Sequence, residues 1–379
     1  MSSNGTSSAR TSMYNANVLK IGMFGANCSS SRTATLVPER WSANWADCLK
    51  LGQMADDAGI DFMLPIGRWK GYGGESDFHG TTLETITWAT GLLAATKRIT
   101  VFGTVHAPLF HPIIAAKQMV TADQVGAGRF GLNIVAGWNE GEFEMFGVEQ
   151  REHDERYDYA EEWLRIMHMA WTGPEQFDFD GRYFKLKNVR AKPKPFGGAR
   201  PLIMNAGSSE AGKEFAMRNC DAFFTATGAS RSSLDGVANR VKEVKADAAA
   251  NNREIEVYTI GQAICRPTQK QAEEYHHYAN VECADWGAIE RMLALRNITR
   301  DNTQPEEYAA KRRFFASHSI GGYPFVGTPD KIAEELAVVS RAGIRGIALS
   351  FVNYVEELPY FRDEVLPRLA RMGLREAVS

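Results

Sequence analysis

The sequence lacks paired cysteines: Cys28, Cys48, Cys220, Cys265 and Cys283 are odd in number, widely spaced and never arranged C-x-x-C. A disulfide scaffold is excluded, and the thiols read as reduced, buried and inert, as in a cytoplasmic protein. Long apolar runs are also missing. No stretch approaches the roughly 18 consecutive apolar residues of a membrane-spanning helix. Residues 1–17 are rich in Ser, Asn and Thr without the apolar core of a secretory signal, so they read as a flexible tail on a soluble chain. Charge of one sign is absent as well: 43 basic and 46 acidic side chains give a net −3, with no block of like charge. Nucleic acid and anionic membrane surfaces therefore find no broad electrostatic footprint. The eight histidines are scattered without an H-x-H pair, and His276 and His277 diverge as neighbours, so no metal is expected. Beyond the tail there is no low-complexity tract, and no internal repeat.

What remains is an ordinary globular balance, 44% hydrophobic and 23% charged over 379 residues, sufficient for a large core. Length alone is compatible with two or three domains of about 150 residues or one enlarged unit. The alternation of elements decides. Short aliphatic or β-branched runs occur at Val18 to Met23, Phe62 to Pro65, Ile99 to Thr104, Arg129 to Val135, Leu202 to Asn205, Ala222 to Thr225, Glu256 to Ala263 and Gly346 to Ser350. Helical patterns follow them near Trp45 to Ala58, Thr82 to Thr96, Pro112 to Val125, Asp154 to Trp171, Ser209 to Asn219, Leu234 to Ala250, Pro329 to Ala342 and Glu357 to Met372. Eight such pairs predict an α/β fold, a (β/α)8 TIM barrel spanning 18–379 as one domain. A barrel needs about 250 residues, so on the order of 130 belong to insertions. One is read over 137–200 after strand four, with a hairpin signalled by Phe177 to Phe184; the other, polar and mostly helical, over 266–325 after strand seven. Both are expected near the active face.

Reacting groups of barrels sit where strands end and βα loops begin. That filter keeps Pro65 to Lys70, Thr104 to His106, Asn133 to Asn139, Gly207 to Ser209, Thr225 to Gly228 and Phe351 to Asn353. Gly126, Gly128 and Gly131 spell G-x-G-x-x-G, but they follow a helix and enter a strand, the reverse of dinucleotide-binding order. They read as a helix stop and a tight αβ turn. Ala206, Gly207, Ser208 and Ser209 bring a close-approach glycine and two hydroxyls to a helix start, where free N–H groups favour an anion. A plain serine N-cap explains the same residues. Arg156 stands near a helix start, where a cation is unfavourable unless an anion is near. Pairing with Asp154, Glu155 or Glu161 on a solvated face is the simpler alternative. A glycosidase pair is missing, because Glu256 begins strand seven rather than ending it.

Asp123 to Trp138 (DQVGAGRFGLNIVAGW), Asn139 to Gly147 (NEGEFEMFG), His153 to Tyr159 (HDERYDY), Tyr183 to Pro195 ending KPKP, and Ala206 to Ser209 (AGSS) form an ordered series. Over nearly the whole chain it resembles the bacterial luciferase-like flavin-dependent monooxygenases, in the branch holding pyrimidine, dimethylsulfone, alkanesulfonate and long-chain alkane monooxygenases. The resemblance implies a barrel that binds reduced FMN at the strand C-termini, reacts it with dioxygen and oxygenates a small heterocyclic or organosulfur compound. A separate NAD(P)H flavin reductase supplies the flavin. It also implies FMN contacts from Gly67, Arg68, Asn133, Glu142, Arg156, Tyr157 and Ser209, with Ser208 added as a neighbour, and an oxygen pocket lined by Asn133 and Thr104. His106 and His111 are looser candidates. Gly67 and Arg68 depart from the Ile-Lys type sequence of the pyrimidine branch, which leaves the substrate open. The 266–325 segment is expected to close over substrate, and a homodimer or homotetramer is expected. A deazaflavin-dependent oxidoreductase and a flavin-binding relative without turnover are the alternatives.

Overall fold

The computed structural model describes residues 11–207, 209–225, 234–318 and 322–377. Its strands are β1 (Lys20–Phe24), β2 (Phe62–Leu64), β3 (Thr100–His106), β4 (Phe130–Val135), β5 (Gln176–Asp180), β6 (Lys185–Arg190), β7 (Leu202–Asn205), β8 (Ala222–Phe224), β9 (Glu256–Cys265), β10 (Tyr323–Gly327) and β11 (Gly346–Ser350). The α-helices are α1 (Trp45–Asp57), α2 (Thr85–Ala95), α3 (Pro112–Val125), α4 (Glu140–Phe146), α5 (His153–Thr172), α6 (Glu210–Asn219), α7 (Val237–Ala250), α8 (Gln269–His277), α9 (Trp286–Ala294), α10 (Pro305–Ser317), α11 (Pro329–Arg341) and α12 (Tyr354–Arg371).

All the strands except β5, β6 and β10 pair in parallel in chain order, and β11 returns to β1, closing the predicted (β/α)8 barrel. Helices cover the outside, so the strands are apolar on both faces. Outward residues such as Ile21, Met63, Val101, Leu132, Ile203 and Ile347 join the helices in one core. Inward residues, among them Phe62, Leu64, Phe102, Met204, Phe224 and Tyr258, form a second core inside the barrel. Glycines on neighbouring strands leave room for the rings: a Cβ at Gly22 or Gly131 would stand 2.4 Å or 2.3 Å from Phe62 or Phe102 respectively.

Several boundaries differ from those predicted, each for a local reason. Glu84 accepts hydrogen bonds from the Ile86 and Thr87 amides, so α2 begins at Thr85 rather than Thr82. Asn353 caps α12 in the same way, so that helix begins at Tyr354, three residues before the predicted start. The 266–325 segment is helical as expected but ends in a strand: β9 outruns β8, and β10 takes up the free edge from Gly261 to Cys265. The hairpin β5–β6 follows α5, around the signal at Phe177 to Phe184. Both Glu162 oxygens accept its turn amides (Arg182, Tyr183, Phe184), which packs the turn against α5. Residues 11–17 are not a free tail. Met13 is buried in the inner core, and Asn15 and Asn17 donate to Asp61 Oδ1 at 2.7 and 2.8 Å. Among the described residues no helix is long and apolar enough to cross a membrane.

Candidate functional site

Strand alternation decides which side chains reach the mouth of the barrel. On β3 the inward column is Phe102, Thr104 and His106; on β4 it is Gly131 and Asn133, with Thr104 and Asn133 in register. Asn133 Nδ2 donates to Thr104 Oγ1 at 3.2 Å, and Thr104 Oγ1 donates to Pro65 O at 2.6 Å. The pair expected at an oxygen pocket is thus assembled. Asn133 Oδ1 is a buried acceptor without a partner among the described residues.

The loop after β2 presses on the end of β3. At Gly67 a Cβ would lie 3.1 Å from Thr104 Cγ2 and 3.2 Å from His106 Cε1, closer than most side chains tolerate. Arg68 Nη1 meets Glu142 Oε1 at 2.9 Å, and that oxygen also accepts the Trp69 and Lys70 amides at 2.9 and 3.3 Å. Glu142 belongs to α4, the short helix after β4, so two βα loops are clamped by one carboxylate. The guanidinium of Arg68 stands 4.8 Å from the Tyr72 ring centre and 5.3 Å from that of Trp138. Arg68 Nε has no partner among the described residues.

Burial pushes the His106 imidazole down to about 4; Glu142 opposes this shift and Arg68 adds to it. His79, stacked on Phe78 and bonded through Nε2 to Ser31 O, is pushed to about 3 by burial and then by Arg68. Both are neutral near pH 7.

A second group forms where α5 and α6 begin. Ser209 caps α6, accepting the Gly212 amide at 3.2 Å, as a plain cap requires, and donates to Tyr157 Oη at 3.4 Å. A Cβ at Gly212 would be 2.6 Å from Tyr157 Oη and 2.9 Å from Gly207 Cα, so the turn and the tyrosine are in close contact. Asn205 holds this turn, accepting the Gly207 amide at 2.7 Å and donating to Ile134 O at 2.7 Å. Ser208 and Ala226 to Gly228 lie outside the described residues.

Arg156 makes none of the acidic pairings open to it in sequence. Its Nη1 donates to Gly137 O at 2.7 Å, its Nη2 meets His153 Nδ1 at 3.0 Å, and its buried Nε has no partner among the described residues. Glu155 and Glu161 turn instead to Arg182 and Arg218. The two groups meet through the loop after β4, where Gly137 takes Arg156 and the next residue, Trp138, covers Arg68. Trp138, Tyr72, His79 and Asn205 were not expected in these roles, and no short-range pattern marks them. Among the described residues no cluster of His, Cys, Asp or Glu could hold a metal ion.

Against known proteins, the family model described as luciferase-like monooxygenase matches residues 20–346. An FMNH2-dependent dimethylsulfone monooxygenase of Pseudomonas fluorescens (strain Pf0-1) is 33% identical over 323 residues, covering 84% of this chain and 85% of that protein. Pyrimidine monooxygenase RutA of Allorhizobium ampelinum is 29% identical over 324 residues, 83% and 86% of the two chains. A solved riboflavin lyase, with modified FMN and riboflavin, shares the fold at a TM-score of 0.84 and 22% identity, covering 94% of this chain and 92% of its own. Because the match runs from β1 into β11, around the whole closed barrel, the chain belongs to the luciferase-like monooxygenase family, as a flavin-dependent monooxygenase.

Proposed function

We propose that the protein is a two-component FMN-dependent monooxygenase. A separate NAD(P)H flavin reductase supplies reduced FMN, and dioxygen and the flavin oxygenate a small heterocyclic or organosulfur substrate at the barrel mouth. The similarity to dimethylsulfone and pyrimidine monooxygenases supports the substrate class. The observation that carries the reading is Arg156, a cation near a helix start with a buried, unpartnered Nε and no carboxylate paired to it among the described residues. A phosphate meets that need. It would accept from Arg156, from Tyr157 and from the free N–H groups of α6 behind Ser209, in charge-assisted bonds.

The other residues fit the same group. The loop at Gly67 and Arg68, locked by Glu142, would set the position of the flavin ring, with Asn133 beside it. When bound, the flavin supplies the redox chemistry. The chain orients and shields. Thr104, committed to Pro65 O, holds the Asn133 amide so that its free Oδ1 keeps one direction in a small, dry pocket. The helices α9 and α10 would close over substrate.

Titration with FMN, riboflavin and a deazaflavin tests the cofactor, and oxygen uptake with NADH and a flavin reductase tests turnover. Tight binding of reduced FMN is expected, with oxygen use stimulated by dimethylsulfone or uracil and released as hydrogen peroxide in Asn133→Ala. Preference for the deazaflavin, or no binding of reduced FMN, would overturn the reading. FMN binding without stimulation by any substrate would mark a relative that has lost turnover.

A further inference from the structure

Among the nitrogens buried at the barrel mouth without a hydrogen-bond partner among the described residues are Arg68 Nε and His106 Nδ1. Their residues approach each other through the loop after β2, and the Arg68 charge acts on the His106 imidazole. Gly67, which precedes Arg68, lies so close to His106 that a Cβ on it would be 3.2 Å from Cε1. His106 is the inward residue above Thr104 on β3, next along the strand from the Thr104–Asn133 pair. Other donors of the loop are satisfied: Arg68 Nη1 is held by Glu142, as are the Trp69 and Lys70 amides. A buried polar group left unmatched is costly, and two such groups in one corner of the barrel mouth mark a place that a ligand completes.

Their chemistry narrows the ligand. An arginine Nε is a donor only. Glu142 already cancels the charge of Arg68, and His106, held at about 4 by burial, is neutral at physiological pH. An anion would meet no spare cation here, whereas a neutral oxygen acceptor would meet the Arg68 Nε–H and, in the tautomer that protonates Nδ1, a second N–H from His106. The Tyr72 and Trp138 rings on the guanidinium give this corner aromatic walls.

We propose that Arg68 and His106 form the substrate-oxygen site of this monooxygenase. Arg68 Nε–H and the Nδ1–H of neutral His106 donate to one carbonyl or sulfonyl oxygen of an uncharged substrate and turn its reacting atom toward Thr104 and Asn133. The site rests on the flavin monooxygenase reading, and it leaves the flavin contacts of the 67–70 loop to its backbone. His106 is then a specificity residue that touches substrate and not FMN.

The test uses the FMN-loaded full chain with nitrogen-labelled histidine, the His106 signal being assigned from its loss in His106→Gln. Dimethylsulfone and uracil are the probes, and dimethyl sulfide, which lacks the oxygens, is the control. One of the first two should shift the His106 Nδ1 resonance, and the sulfide should not. In His106→Phe the half-saturating concentration of the active probe should rise roughly tenfold with FMN affinity unchanged, and His106→Gln, which retains a donor, should recover most of that loss. No shift with either oxygenated probe, an equal shift with the sulfide, or a His106→Phe defect confined to FMN affinity would each overturn the proposal. Failure of the flavin reading shows separately, as absence of FMN binding in the wild type.

Discussion

Arg68 Nη1 and Glu142 Oε1 stand 2.9 Å apart with only 6% and 2% of their side chains exposed, so a helix after β4 neutralises a cation in the loop after β2. Neither charge would be stable there alone, because water has been removed from both. The contact locks two βα loops at the barrel mouth.

Glu142→Gln should therefore cost about 3 kcal/mol of stability, since it leaves the Arg68 charge buried without a counterion. Urea unfolding measures the loss. Arg68→Gln combined with Glu142→Gln should cost less than the sum of the single changes. Strict additivity would mean that the two charges do not depend on each other.

Arg156→Ala should weaken FMN binding by roughly 10- to 100-fold, the range for a lost charge-assisted hydrogen bond, and leave riboflavin binding nearly unchanged. Fluorescence titration of both flavins separates the outcomes. Equal losses for both would move Arg156 away from the phosphate.

Acid should destabilise the protein through its buried histidines. Burial holds His79 at about 3 and His106 and His168 at about 4, whereas the unfolded chain takes up these protons near 6.5. The folded state binds fewer protons, so stability falls as pH drops below about 6.5 and continues falling toward the folded values. Above that window these groups contribute no pH dependence. Glu335 and Glu357, whose carboxyls burial raises, act in the opposite sense at the acid end. Melting temperatures between pH 7.5 and 4.5 should slope downward with acid, and less steeply in His106→Phe; an identical slope would show that His106 is not held neutral by burial.

Asp285 joins the loop after β2 to α9. Its Oδ2 accepts the Ser76 amide and hydroxyl at 2.7 and 2.6 Å, and its Oδ1 caps α9 through the Ala288 amide at 3.0 Å. Asp285→Ala should cost about 1–2 kcal/mol and speed hydrogen exchange at Ser76 and Ala288 while leaving β3 protected. Faster exchange spread evenly over the barrel would show a general loss of stability instead of a local tie.

Much of the barrel was legible because its strands are short apolar runs that alternate regularly with helical patterns. β10 was hidden: Tyr323 to Gly327 ends a polar segment, and it becomes a strand because β9 extends past β8 and offers an edge. Met13 was hidden too, in a Ser- and Asn-rich stretch whose polar side chains find Asp61 and Thr100 across the barrel bottom. At the site, the resemblance singled out Thr104, Asn133, Tyr157 and Ser209, and the fold brings them into two pairs. Arg156 had three carboxylates close in sequence, yet its partner is a carbonyl nineteen residues away.

The sequence by itself determined the barrel class, the order of its elements and the strand ends at which polar side chains gather, because these follow from local periodicity and caps. Only the tertiary structure decided that Glu142 belongs to Arg68, that Arg156 Nε finds no partner among the described residues, and that His106 is neutral beside Gly67. Those properties depend on which groups lose their water together. Desolvation is set by packing between residues far apart in the chain, and no local pattern of residues encodes it.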